Sequence, residues 1–301
     1  MERKILRLAE KALTYVSSNG RPIDAARIAC LFLGGPGSAV EEELAVYQNK
    51  DGGFGNGLEP DFLLPSSSPM ATSVAFQIMG ELNLPDNHSL VSSAIEYLWS
   101  TYDEAIPGWH GVPESVNDYP HAPWWHWSGE ASPTEYWGNP TAELIGYIVR
   151  HTPWHRSRQA QKLVDTACEY LVGRADEMEP HELGCFLRFA EFLPETRLGE
   201  LVEKLATLMK NAVSIDPAEW TSYTPQPIDF IWSVDSPLYE PYKTAIQNNI
   251  EFLLSGVSPE GVWFPTWSWG DTYPADWKRA RIEWAGVLSV KHLKAIQIFN
   301  M

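Results

Sequence analysis

Two carboxyl groups in apolar surroundings are the residues of this sequence best suited to acid chemistry. Asp229 stands among Pro, Ile, Phe and Trp residues, and Glu283 lies between Ile and Trp. Apolar surroundings disfavour the charged form of a carboxyl group and raise its pKa, so such an acid can donate a proton near neutral pH. We therefore expect both to be catalytic. The competing interpretations are a solvent-exposed helix start for Asp229 and a structural ion pair with Arg279 or Arg281 for Glu283.

Two further acids follow a glycine-rich turn. Glu59 and Asp61 come just after residues 52–57, where glycines let the backbone approach a ligand closely. We expect both to be catalytic, with bonding to loop amides as the alternative, which is the interpretation we prefer for Asp51. Glu143 is expected to bind substrate, although its place in the first turn of a predicted helix also suits the helix dipole.

Histidine and tryptophan are concentrated in the longest predicted loop, residues 102–138, and tryptophan recurs in the other long connections. His126 lies between two tryptophans, where an imidazole could move a proton and the indole faces could stabilise a cation, so we expect it to be catalytic. A loop held by tryptophan packing is the alternative. Ten of the fourteen tryptophans stand outside the predicted helices, which is typical of a binding pocket. The expected substrate-binding aromatic residues are Trp109, Trp125, Trp127, Tyr223, Trp232, Trp267 and Trp269.

No metal or cofactor motif stands out in the sequence. His181 and Cys185 share one face of a predicted helix at spacing i, i+4, but a core cysteine near a helix-start histidine is the simpler interpretation, so we predict no metal site. GxSxG, HExxH, Walker and GxGxxG sequences do not occur in the required context. We therefore expect any catalysis to be cofactor-free.

Composition limits the class of partner. The chain has 301 residues without a low-complexity linker, which favours one domain over 1–301. Its formal net charge of −17 argues against nucleic acid and against anionic lipid. Three scattered cysteines suit a reducing compartment, the first residues resemble an amphipathic helix, and no apolar run is long enough to span a bilayer. We expect a cytoplasmic protein without integral membrane association, and the oligomeric state stays open.

Apolar periodicity predicts about twelve helices and an all-α class. They pair as 3–17 with 22–33, 39–48 with 69–82, 87–101 with 139–151, 155–173 with 178–192, 196–211 with 226–234, and 238–255 with 277–299. If successive helices run antiparallel, the long connections 49–68, 102–138, 212–225 and 256–276 lie at one end. The pattern predicts six helical hairpins that close into an (α/α)6 toroid with its long loops at one mouth.

A helix followed by a glycine- and aromatic-rich turn occurs three times, ending near residues 55, 111 and 267. Residues 48–55, QNKDGGFG, closely resemble the Gln/Trp repeat of the terpenoid cyclase and protein prenyltransferase superfamily, and residues 256–267 resemble a degenerate copy. Residues 57–61 and 281–286 also resemble short cyclase-like bacterial proteins. The resemblance implies an α/α toroid around a central cavity.

The resemblance also implies a function. We expect a cofactor-free cyclase, isomerase or dehydratase in which an acid protonates a hydrophobic, isoprenoid-type small molecule and a carboxylate or histidine removes a proton. The DxDD acid of class II cyclases, the DDxxD magnesium site and the DxC pair of the zinc prenyltransferases are absent. Two alternatives stay open: a glycosidase or lyase with tryptophan stacking and paired carboxylates, and a toroid that binds a ligand without catalysis.

Overall fold

The computed structural model describes residues 2–129 and 136–299 and confirms the all-α class. Within these residues there is no β-strand, only isolated β-bridges. Residues 130–135 of the predicted loop 102–138 lie outside the described residues. The eleven α-helices of the described part are α1 Glu2–Asn19, α2 Pro22–Leu33, α3 Gly37–Ala45, α4 Pro69–Glu81, α5 Ser89–Ser100, α6 Gly138–His151, α7 Arg158–Gly173, α8 Pro180–Glu191, α9 Glu195–Ala212, α10 Tyr239–Gly256 and α11 Pro274–Phe299.

Helix starts follow local signals in the sequence. Four helices begin at a proline, α2 at Pro22, α4 at Pro69, α8 at Pro180 and α11 at Pro274. Proline suits the first helical position because its φ is already helical and the N–H it lacks would have no partner there. The side chain of Ser68 caps α4, and that of Glu179 caps α8, by accepting backbone hydrogen bonds. These starts therefore agree with the predicted ones within a few residues.

The predicted helix 226–234 is wrong. Only Pro227–Asp229 forms a single 3-10 turn there, and the chain then continues without helix to α10. Side chains take the place of helical partners: Asp229 accepts from the backbone N–H of Gln226 at 2.9 Å, and the Oδ1 atom of Asn249 accepts from that of Ile228 at 3.3 Å. These two bonds hold a single 3-10 turn in place where apolar spacing alone predicts a longer helix.

The chain packs as two compact units, one formed by Met1–Val46 with Ser214–Met301 and the other by Tyr47–Val213. In the first unit, α1 packs on α2 and α11, α2 on α3, and α10 on α11. In the second unit, α6 packs on α4, α5, α7 and above all α8, and α9 packs on α7 and α8. The single domain over 1–301 and the closed ring of six hairpins stay predictions.

Helix α6 is the centre of the second unit. Its residues from Pro140 to Val149 are all buried, which is the pattern of a helix surrounded by others. Gly146 lies where α6 meets α8, and a Cβ atom there would stand 3.0 Å from the Cα of Phe189. The close approach of the two helices therefore requires a residue without a side chain at position 146. Polar side chains at this interface are removed from solvent together with the apolar ones.

The two long connections of the second unit lie together. The backbone N–H of Leu63 donates to the carbonyl of Pro120 at 2.8 Å, and that of Ala122 donates to the carbonyl of Asp61 at 2.7 Å. In the first unit, the rings of Tyr223 and Trp267 join the other two long connections, with centroids 5.3 Å apart. The gathering of loops is therefore observed within each unit, and a common mouth stays a prediction.

Candidate functional site

Two of the repeated tryptophans hold a loop to the helix before it. The indole N–H of Trp109 donates to the carbonyl of Leu98 in α5 at 2.7 Å, and that of Trp263 donates to the carbonyl of Leu253 in α10 at 2.9 Å. Both indoles are buried. The structure thus places Trp109, expected to bind substrate, in the core of the second unit, where it closes the turn after a helix.

The QNKDGGFG segment has the same kind of role. The amide of Gln48 donates to the carbonyls of Gly52 and Leu90, at 2.9 and 3.2 Å. The Oδ1 atom of Asp51 accepts from the backbone N–H of Gly53 at 3.1 Å. Gln48 therefore ties its own turn to α5, and Asp51 bonds a loop amide as expected.

Glu59 and Asp61 are buried side by side in the first long loop of the second unit. A carboxylate oxygen of Glu59 accepts from the backbone N–H of Asp61 at 2.6 Å. The neighbouring Phe62 packs edge-on against Trp125, with ring centroids 5.3 Å apart. The structure brings these two predicted acids into one turn and places a predicted tryptophan against it.

His126 forms a pair that the sequence did not indicate. Its Nδ1 atom lies 3.2 Å from Nε2 of His121, and the two rings are stacked with centroids 5.4 Å apart. His121 is buried and its Nδ1 lies 2.6 Å from the carbonyl of Tyr119, whereas His126 is exposed. The 3-10 turn Pro123–Trp125 between them makes this spacing of five residues a contact. One imidazole therefore has solvent access and the other does not.

Trp125 and Trp127 lie on the same loop in different surroundings. The ring of Trp127 packs against that of His110, with centroids 5.1 Å apart. Trp125 is half-buried, and its indole nitrogen is shielded from solvent without a hydrogen-bond partner among the described residues. A Cβ atom on Gly111 would lie 3.3 Å from Cζ3 of Trp125 and 3.6 Å from Cδ of Pro140. The unpartnered indole therefore belongs to a residue beside the start of α6.

Glu143, expected to bind substrate, has protein partners on both carboxylate oxygens. It is only 2 % exposed on α6. Oε1 accepts from the hydroxyl of Tyr147 at 2.5 Å and from the amide of Gln77 at 2.8 Å. Oε2 lies 3.4 Å from a guanidinium nitrogen of Arg188 and 3.6 Å from the thiol of Cys185. Burial, followed by the charge of Glu143, raises the pKa of both Tyr147 and Cys185 well above their ordinary values.

Glu182 is a second buried carboxyl group of the α6–α8 interface, and it has partners on one oxygen only. It is 0 % exposed in the first turn of α8. Oε1 accepts from the backbone N–H of Gly138 and from the hydroxyl of Tyr170, both at 2.8 Å. Oε2 has no hydrogen-bond partner within residues 2–129 and 136–299. Burial raises the pKa of Glu182, although the bonds from Gly138 and Tyr170 act in the opposite direction.

Aromatic rings surround this carboxyl group. Tyr170 stacks on Phe186 with centroids 5.8 Å apart, and Trp137 lies 4.9 Å from Tyr170. Burial, followed by the hydrogen bond to Glu182, raises the pKa of Tyr170 to about 12, so its hydroxyl stays a donor. A Cβ atom on Gly138 would lie 2.4 Å from the ring of Phe186. The start of α6 is therefore pressed against Glu182 and its aromatic neighbours.

Sequence analysis did not identify Glu182, Tyr170 or Arg174. A signal for Glu182 does exist in the sequence, because it stands directly before the apolar run of α8, whose residues 182–187 are all buried. A glutamate in such a run is unusual unless it is paired. For Tyr170 and Arg174 no signal exists, since Tyr170 is half-buried near the end of an ordinary amphipathic helix, α7, and Arg174 directly follows that helix.

The predicted acids of the first unit both carry a cation. The Nζ atom of Lys291 donates to Oδ1 of Asp229 at 2.6 Å, and Oδ2 of Asp229 accepts the backbone bond from Gln226 described above. The Nε atom of Arg279 donates to Oε1 of Glu283 at 2.7 Å. The ion pair of Glu283 agrees with the structural interpretation, and Asp229 holds a 3-10 turn to α11.

The predicted aromatic residues of the first unit form separate groups. Trp267 packs edge-on against Trp284, with centroids 5.0 Å apart, as well as against the exposed Tyr223. Its indole nitrogen is buried and has no partner in the described part of the chain. Trp269 is 1 % exposed, which makes it a core residue, and Trp232 is half-buried.

The described residues contain neither a metal site nor a helix suited to a membrane. His181 contacts Glu179 at the surface, whereas Cys185 faces Glu143, so the two do not converge. No group of three or more His, Cys, Asp or Glu side chains in residues 2–129 and 136–299 is placed to hold a metal ion. None of the helices in this part of the chain has both the length and the apolar character needed to cross a bilayer. Comparison with known proteins found no matching family model, curated protein or solved structure.

Proposed function

We propose that this chain is an acid/base enzyme, a cyclase, isomerase or dehydratase, that acts on a hydrophobic small molecule of the isoprenoid type. The observation that carries the proposal is the unpartnered Oε2 atom of Glu182. Burial raises the pKa of this carboxyl group, and a carboxyl group that holds its proton more tightly than usual can act as a general acid. The resemblance of residues 48–55 to the Gln/Trp repeat supports a toroid of six hairpins as the scaffold.

Three carboxyl groups singled out in the sequence carry a cation. Glu143, Asp229 and Glu283 pair with Arg188, Lys291 and Arg279 respectively. In each of them a protein cation therefore occupies one carboxylate oxygen. In Glu182, by contrast, both hydrogen bonds end on Oε1, so a proton on Oε2 displaces no protein partner.

The rings around Glu182 suit a cationic intermediate. Aromatic faces attract positive charge, and they also bind an apolar substrate by burying its surface. The proposed reaction has two steps. Glu182 transfers its proton from Oε2 to one carbon of a substrate double bond, so that the other carbon becomes positively charged beside Trp137, Tyr170 and Phe186. The carboxylate then takes a proton from a neighbouring carbon of the substrate, so that a double bond forms and the acid is regenerated.

The test is turnover of a panel of isoprenoid alcohols, diphosphates and epoxides by purified full-length protein, followed by chromatography and mass spectrometry. Glu182→Gln keeps the shape of the side chain and the acceptor for Gly138 and Tyr170 but removes the acid. We expect product from the wild-type protein and a loss of turnover of about 10²–10⁴-fold in this variant. Glu169→Gln is the matched control, because it removes the same charge from an exposed position next to Tyr170.

Two results would contradict the proposal. Wild-type protein that neither converts nor binds any member of the panel would exclude the isoprenoid substrate class. Turnover by Glu182→Gln at the rate of Glu169→Gln would exclude Glu182 as the acid. A parallel panel of oligosaccharides serves as the comparison, and conversion there alone would favour the glycosidase or lyase alternative.

A further inference from the structure

Arg174 provides a second unpartnered polar atom close to Glu182. Its Nε atom is shielded from solvent and has no acceptor among the residues that the structure describes. The guanidinium group lies over the ring of Tyr170, 5.5 Å from its centroid, while the hydroxyl of the same tyrosine donates to Oε1 of Glu182. The charge of Arg174 also acts on Glu182. One N–H donor and one carboxyl oxygen, both buried, are therefore left without partners around a single tyrosine.

The chemistry of these two atoms limits which ligand group could form hydrogen bonds with both. Buried polar atoms are nearly always hydrogen-bonded, so an unpartnered pair points to a water molecule or to a ligand group. That group must accept from Nε of Arg174 and must also bond to Oε2 of Glu182. When Glu182 is ionised, a carbonyl oxygen can accept from Arg174 but cannot donate to Oε2, an ammonium group can donate but cannot accept, and a phosphate is repelled by the charges of Glu182 and of the adjacent Glu179. A hydroxyl group accepts and donates at once.

We propose that Arg174 and Glu182 together bind a hydroxyl group of the substrate. The hydroxyl oxygen accepts the hydrogen bond from Nε of Arg174. Its hydrogen points to Oε2 when Glu182 is ionised, and the carboxyl group donates to the same oxygen when Glu182 is protonated. This inference rests on the proposed function, because Glu182 is the acid in both, and it adds the requirement that the substrate is an alcohol.

Hydroxyl groups of this kind occur on isoprenoid alcohols and on sugars, and the experiment distinguishes the two. Binding to full-length protein is measured by titration calorimetry with geraniol, with 2,6-dimethylocta-2,6-diene, which has the same skeleton without the hydroxyl, and with maltose. For the wild-type protein we expect geraniol to bind at least about tenfold more tightly than the hydrocarbon. Arg174→Met keeps the apolar stem over Tyr170, and we expect it to reduce this preference to less than about threefold.

Matched variants separate the hydroxyl contact from general effects. Arg158→Met removes an exposed arginine at the start of α7, the helix that Arg174 follows, and should keep the wild-type preference. Glu182→Leu removes both carboxyl oxygens and should lose the preference. Glu182→Ala, which leaves room for water beside Gly138 and Tyr170, replaces it if circular dichroism shows that Glu182→Leu does not fold.

The outcomes are distinct for the two proposals. Equal binding of geraniol and the hydrocarbon by wild-type protein, or an unchanged preference in Arg174→Met or in the folded Glu182 variant, would overturn the hydroxyl contact. Arg174-dependent binding of maltose without binding of geraniol would support the hydroxyl contact and contradict the isoprenoid function. Full turnover by Glu182→Gln together with loss of the preference in Arg174→Met would support the contact and contradict the acid role.

Discussion

The two buried glutamates of the α6–α8 interface have opposite surroundings. Glu143, on α6, has two protein partners on each oxygen, including Arg188. Glu182, on α8, has two partners on Oε1 and none on Oε2 among the described residues. Burial alone therefore does not distinguish a structural acid from the acid that we propose to react. The distinction lies in how many lone pairs the protein itself occupies.

The physical reason is the cost of an unmade hydrogen bond. A carboxylate that accepts hydrogen bonds from a guanidinium, a hydroxyl and an amide holds three helices together. Its removal leaves all of these buried donors without an acceptor. A carboxyl group with one empty oxygen contributes little to the fold, and a ligand can complete it. We expect substitutions of Glu143 to lower the free energy of unfolding and substitutions of Glu182 to lower turnover.

The largest effect on stability is expected for Glu143→Ala. This variant leaves Tyr147, Gln77 and Arg188 without their common acceptor in a buried place, and we expect it to lower the free energy of unfolding by about 3 kcal/mol. Urea denaturation followed by circular dichroism measures the change, with the exposed Glu169→Ala as the control. A loss below about 1 kcal/mol would break the comparison, because Glu143 would then be no more structural than Glu182.

His292 extends the comparison to a base in the first unit whose Nδ1 atom is shielded from solvent. Its Nδ1 atom is buried without a partner in the described chain, and its ring packs edge-on against Trp263 with centroids 5.2 Å apart. Burial, followed by the charge of Lys291, lowers the pKa of His292 from 6.5 to about 3. Between these values the unfolded chain binds a proton that the folded chain does not, so stability falls as the pH falls.

We expect His292→Gln to reduce this acid sensitivity. From about pH 7 to about pH 4.5, the wild-type protein should lose about 2 kcal/mol more unfolding free energy than the variant. Urea denaturation at the two pH values gives the difference directly. His155→Gln, at an exposed position, should retain the sensitivity of the wild type. Equal losses in wild type and His292→Gln would show that His292 takes up a proton in the folded state.

Two tyrosines offer a matched pair for the two glutamates. Tyr147 donates to Glu143 and Tyr170 donates to Glu182, and each bond is removed by substitution with phenylalanine. We expect Tyr147→Phe to cost about 1.5 kcal/mol, because it is buried in a filled network, and the half-buried Tyr170→Phe to cost about half as much. Thermal or urea denaturation of both variants tests the order. A greater cost for Tyr170→Phe would contradict it.

The smallest effect on stability is expected for Glu182→Gln. The folded chain holds the proton of Glu182 more tightly than the unfolded chain does, so this residue's contribution to stability decreases as the pH rises above the ordinary value of 4.5. Replacement by glutamine removes that decrease. The free energy of unfolding of the variant should lie within about 1 kcal/mol of the wild-type value. Relative to the wild type, the variant should be more stable at pH 7 than at about pH 4. A better relative stability at the lower pH would reverse the assigned direction of the pKa shift.

The sequence alone determined the helices and several local contacts. Proline and capping residues fixed the starts of α2, α4 and α8, since these signals act over three or four residues and need no distant partner. The ion pair of Arg279 with Glu283 and the hydrogen bond from the backbone N–H of Gly53 to Asp51 are also local, since their partners stand within four residues of each other. Eleven of the twelve predicted helices are present in the described residues, with ends that differ by a few residues, because apolar periodicity marks a face better than it marks an end.

Tertiary structure decided which polar atoms have partners. Segment 226–234 has apolar residues at plausible spacing but forms only one 3-10 turn, which Asn249 and Lys291, far away in sequence, hold in place. The empty oxygen of Glu182 depends on residues 138 and 170, and its difference from Glu143 depends on where Arg188 and Arg174 point. Hydrogen-bond partners that are far apart in sequence produce no periodic pattern of residue types. Only the folded structure therefore shows which buried carboxyl oxygen has no partner within the described residues.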